Sequence, residues 1–60
     1  MKSTRQLIKQ AKAGGFILQR TNGHMRWQHP MTGAIVTIPH SMKSESISKK
    51  IEMQIRRGQP

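Results

Sequence analysis

The residues best suited to chemistry in this 60-residue sequence are three histidines, His24, His29 and His40. Around them stand eleven Lys and Arg against two acids, Glu45 and Glu52, with no Asp and no Cys. That inventory excludes several mechanisms. A Ser-His-Asp triad lacks its acid. Two-metal hydrolysis needs several carboxylates converging on the ions, whereas Glu45 and Glu52 lie about 10 Å apart along one predicted helix. Zinc would need at least three of the available imidazoles, and strand alternation sends His24 and His29 to opposite faces. The stretch Ala13-Gly14-Gly15 closes a predicted helix rather than opening one, so it is no phosphate-binding loop. No metal and no small-molecule cofactor is expected.

What remains is imidazole surrounded by cations, and RNA suits that set. The RNA 2′-hydroxyl can attack the adjacent phosphate without a metal. An imidazole can move the proton, and Lys or Arg can stabilise charge on the transition state. His24 is the leading candidate. It follows Gly23, which permits close backbone approach, and alternation points it away from the core beside Arg26. A plain surface histidine fits the same pattern. His40, just after a predicted strand and before a basic helix, is the second candidate for acid/base work. His29, in the His-Pro corner, reads as a turn residue. Trp27 could stack a base, but its alternation with Met25 favours the core. Lys43, Lys49, Lys50, Arg56 and Arg57 either bind phosphates or coat the last helix, with Lys49 and Lys50 the foremost backbone contacts and Arg26 on the strand a further RNA-phosphate contact.

These residues need a scaffold. Leu7, Ile8 and Ala11 give a narrow apolar helical face, with Ser3 or Thr4 to cap it and Gly14-Gly15 to end it. "FILQR" reads as a strand and "TNG" as a hairpin turn. "HMRWQH" reads as the returning strand, "PMTG" as a second turn and "AIVTIP" as a third strand. "SESISKKIEMQIRRG" is a closing helix with Ser44 as N-cap and Ile47, Ile51 and Ile55 as its buried stripe. The order α-β-β-β-α predicts an α+β fold: a three-stranded antiparallel sheet with two helices packed on one face, in one domain over residues 1–60. The expected core is Leu7, Ile8, Ala11, Phe16, Leu18, Met25, Trp27, Val36, Ile38, Ile47, Ile51 and Ile55. It is small, since a chain this short buries only about 60% of its unfolded surface.

A formal net charge of +9 points to a polyanionic partner, with nucleic acid foremost. No stretch reaches the roughly 18 apolar residues of a membrane span, and no signal-peptide core is visible. A cytoplasmic protein without membrane association is expected.

Four stretches in order, "AGGFILQR", "NGHMRWQHP", "VTIPH" and the closing basic helix, resemble the HicA toxins of bacterial and phage toxin–antitoxin systems. The resemblance runs over nearly the whole chain. It implies a double-stranded-RNA-binding-domain-like fold and a metal-independent ribonuclease that cleaves mRNA with one catalytic histidine. It also implies a HicB-type antitoxin partner that neutralises the toxin. In the family that histidine closes a Gly-Ser-His motif; here the motif reads Asn22-Gly23-His24, which assigns the role to His24. The closing helix keeps only the apolar spacing of the family's Thr-Leu-Arg-Lys-Ile pattern, at Ile47 and Ile51. Two other classes compete with this reading: a non-catalytic RNA-binding module of the same fold, and an adaptor for an acidic protein.

Overall fold

The computed structural model describes residues 2–60. The elements run α1 (Thr4–Ala13), β1 (Ile17–Arg20), β2 (Met25–Gln28), β3 (Ile35–Ile38) and α2 (Glu45–Arg57). The α+β order expected from the sequence is the one observed. The strands form an antiparallel sheet in the order β1-β2-β3.

Local chemistry sets each boundary. The Ser3 hydroxyl accepts from the Gln6 N–H at 3.3 Å, and the Gln6 side-chain oxygen accepts from the Ser3 N–H at 2.8 Å. This reciprocal capping box satisfies two donors that the first turn of α1 leaves open. After the cap at Gly14, Gly15 takes φ +94°, a left-handed conformation that turns the chain from α1 towards β1. Ser44 caps α2 by accepting from the Ile47 N–H at 3.3 Å. Glu45 in the first turn and Arg56 and Arg57 in the last complement the helix dipole.

The first hairpin departs from the expected tight turn. A two-residue type I′ turn needs positive φ at both central residues. Here Gly23 has φ +79° and Asn22 does not share the left-handed region. Residues 21–24 form the connection, so His24 stands at the end of a loop rather than within the strand. The register explains the extra length. Leu18 pairs with Trp27, but Arg20 pairs with Arg26, leaving Gln19 as a bulge. An inserted residue reverses the alternation, so Arg20 shares the face of Arg26 instead of that of Leu18.

Leu7 and Ala11 from α1 and Ile51 and Ile55 from α2 pack with Phe16, Trp27, Val36 and Ile38, all buried. Ile8, Met25, Ala34 and Met42 pack against this cluster and stay partly exposed. Of the expected core, Ile8 and Met25 are thus at its margin, and Leu18 and Ile47 lie outside it. Leu18 pairs with Trp27 on the helix side of the sheet, yet it is 40% exposed. The helices pack on each other and on β3, which leaves β1 at an uncovered edge. Ile47 is 46% exposed, because the first turn of α2 borders an open groove. Trp27 is buried as alternation favours, although its Nε1 has no hydrogen-bond partner among the described residues.

Hydroxyl groups fasten the elements to one another. Ser48 Oγ donates to the Lys2 carbonyl at 2.9 Å, and Thr4 Oγ1 donates to the Pro39 carbonyl at 3.0 Å. Thr32 Oγ1 donates to the Gly58 carbonyl at 2.6 Å.

Lys2 forms an ion pair with Glu52. The hydrogen bond from Lys2 holds the Glu52 carboxyl below its ordinary value of 4.5, with partial desolvation opposing and the charges of Lys2 and Arg56 assisting. A depressed folded-state value stabilises the fold above the unfolded value, and the gain is lost as pH falls through the folded one. Glu52→Gln should therefore lower the melting temperature at neutral pH, and the difference from wild type should shrink on acidification. Thermal melts across that range measure this; a difference independent of pH would refute the assignment.

Candidate functional site

The groove beside β3 is built by strand register. Met25 pairs with Ile38, so the residues before β2 and those after β3 reach the same end of the sheet. Gly23 and His24 come from the first connection; Pro39, His40 and Ser41 come from the second. The Thr4 hydroxyl on the Pro39 carbonyl anchors the backbone next to His40. Lys43 precedes α2, and Lys50 stands on it. His24, His40, Lys43 and Lys50 all line one groove of ≈ 700 Å³. That volume is within the range of small-molecule sites.

The acids are elsewhere. Glu45 lies 3.6 Å from Lys49, one helical turn away, and Glu52 is held by Lys2. Both acids line a separate recess with Lys2, Gln6, Ser48 and Lys49. The groove thus presents imidazole and ammonium groups with no carboxylate on its wall. Among the described residues, no three His, Cys, Asp or Glu side chains gather closely enough to share a metal ion.

The other expected site residues divide. Lys49, foremost for a phosphate contact alongside Lys50, does not line the groove; it belongs to the acidic side of α2, which is one residue's rotation away. Arg26 is exposed on the outer face of the sheet, opposite Thr37, and Thr37 does line the groove. His29 is 4% exposed and structural. Its Nδ1 accepts from the N–H groups of Met31 at 3.1 Å and Thr32 at 3.4 Å. Its ring meets Phe16 edge-on at 5.3 Å. A Cβ on Gly15 would come within 2.9 Å of His29 Nε2, so that glycine admits the imidazole.

Several groove and surface residues escape the sequence reading. Ile35 and Thr37 sit on the strand face opposite the core residues Val36 and Ile38, and Gln54 projects from α2; all three line the groove. Alternation marks Ile35 and Thr37 as outward-facing, but nothing local says that α2 borders them. Arg20 is missed because the bulge that moves it is not visible in its residue types. The observed Arg20–Arg26 pairing puts like charges directly opposite, which costs stability unless an anion offsets it.

Two imidazoles and two ammonium groups around one open groove can exchange protons with the oxygens that enter and leave a bound phosphodiester and can neutralise its charge. The family model described as "HicA toxin of bacterial toxin-antitoxin" matches residues 4–57, from the first residue of α1 to the last of α2. No curated protein and no solved structure gives a significant match to the chain.

Proposed function

The chain belongs to the HicA toxin family, and from that premise we propose that it is an mRNA-cleaving endoribonuclease that works without a metal ion and is neutralised by a HicB-type antitoxin. The observation that supports this reading is the groove itself: His24 and His40 with Lys43 and Lys50, and no carboxylate to hold a cation.

His24 is the catalytic residue of the proposal, with His40 as its partner in proton transfer. One imidazole takes the proton of the RNA 2′-hydroxyl. The freed oxygen attacks the adjacent phosphorus, and the bond from phosphorus to the 5′-oxygen breaks. The other imidazole, protonated, gives its proton to that leaving oxygen. The products are a 2′,3′-cyclic phosphate and a 5′-hydroxyl, and solvent exchange restores both imidazoles. Lys43 and Lys50 stabilise the charge that accumulates on the phosphorane-like transition state. Arg26, reached from the groove through its neighbour Thr37, extends the cationic track across the sheet, and Arg20 continues it.

Purified protein incubated with RNA in EDTA should cut as fast as without it and leave cyclic phosphate ends; loss of cleavage on chelation would count against the metal-independent route. His40→Ala should lower the rate and remove one limb of the pH–rate profile, since one of two proton carriers is gone. A profile of unchanged shape would remove His40 from the mechanism. Both assays separate this function from simple RNA binding, which is salt-sensitive but produces no new ends.

A further inference from the structure

Phosphate chemistry accounts for the cations and imidazoles of the groove and leaves its apolar wall unexplained. Ile35 on β3 is 44% exposed and Ile47 on α2 is 46% exposed, and with Pro39 they line the same groove as His24. Single exposed apolar side chains are ordinary on a protein surface. Here two come from different elements and border one groove, beside groups that suit a phosphodiester. The groove, ≈ 700 Å³, is also larger than a phosphate group needs. Thr37 and Gln54 add neutral hydrogen-bonding groups to its lining, of the kind that read the edges of bases.

We infer that Ile35, Pro39 and Ile47 form a nucleobase subsite next to the reacting phosphate, so that the preferred substrate is unpaired RNA. The inference rests on the ribonuclease reading and deepens it. Its occupant is a base of the RNA strand, because Lys43 and Lys50 at the same groove match the phosphates on either side of that base. A base has two apolar faces and polar edges, and the aliphatic wall and the Thr37 and Gln54 groups correspond to these. A base inside a duplex is stacked on both faces and hydrogen-bonded at its edge. It cannot enter the groove without first unpairing, which costs energy. Folds of this general type can bind duplex RNA by shape across its minor groove. The apolar wall of the same groove instead favours a strand whose bases are free to turn.

The test uses one short RNA that the wild-type protein cuts, in three forms: the intact strand, the same strand with a single abasic residue on either side of the cleaved phosphate in turn, and the strand annealed to its complement. Wild type should cut the intact strand about ten-fold faster in kcat/KM than one of the abasic strands, on the order expected for burying part of a base against apolar side chains. It should cut the duplex more slowly again. In Ile47→Ala and in Ile35→Ala the rate on the intact strand should fall towards the abasic rate, while the abasic rate itself changes little. The ratio of the two then collapses, which a general loss of structure would not produce. Equal wild-type rates on all three forms would overturn the subsite while leaving the ribonuclease reading standing. So would variants that lower intact and abasic rates alike. Failure to find any short RNA that the wild type cuts would overturn both.

Discussion

Replacing His24 with alanine should reduce RNA cleavage by about 10²–10⁴-fold, the usual worth of a positioned proton-transfer group. Growth arrest on expression should disappear with it. The fold should be unaffected, because the side chain is exposed at the end of the 21–24 connection and belongs to no buried cluster. Circular dichroism and a thermal melt alongside the cleavage assay would verify that separation. His29→Ala is the informative control. It removes the same functional group from a buried position, where Nδ1 accepts two N–H groups and the ring contacts Phe16. That variant should lose stability, since it removes a buried ring packed on Phe16 and the acceptor of two backbone N–H groups. A His24→Ala protein that cuts RNA at the wild-type rate would dispose of the catalytic assignment.

The second large effect is on stability, and it divides the isoleucine stripe of α2. Ile55 is fully buried, and Ile55→Ala should cost about 2–5 kcal/mol from lost apolar transfer and the cavity left behind. A chain of this length has about 3–9 kcal/mol to lose, so much of the population should unfold near physiological temperature. Ile47→Ala, eight residues earlier on the same stripe, should cost about 0.5 kcal/mol, as most surface truncations do. Urea titrations of the two variants measure the contrast directly. Equal losses would mean that Ile47 is a core residue after all, and the apolar wall of the groove would go with it.

Much of the fold was legible in the residue types. Ser3 and Ser44 cap because a hydroxyl can accept from the open N–H groups of a first turn. The α-β-β-β-α order follows from the change of apolar period between the helices and the strands. Met25 and Trp27 alternate with Arg26 and Gln28, and the burial of Trp27 follows from that alternation. His24 and His40 stand out as candidate proton carriers because the composition leaves so few alternatives. The resemblance to HicA toxins rested on the same segments that the family model spans.

Other features required the tertiary structure, for one physical reason: they depend on contacts between segments distant in sequence. Periodicity places Ile47 and Ile51 on one face of α2, but only the packing of that helix beside β3 decides that Ile51 closes the core while Ile47 borders open solvent. Leu18 shares the face of Trp27, yet it stays exposed because the helices cover β3 rather than β1. The bulge at Gln19 puts Arg20 opposite Arg26, and alternation alone assigns it to the other face. Lys49 and Lys50 are neighbours of the same charge; one helical step sends the first to Glu45 and the second to the groove. The sequence by itself determined which groups are available as imidazole and cationic candidates for a site. The pairing of Met25 with Ile38 and the docking of α2 decided which of them share a groove, because side chains far apart along the chain converge only through register and packing.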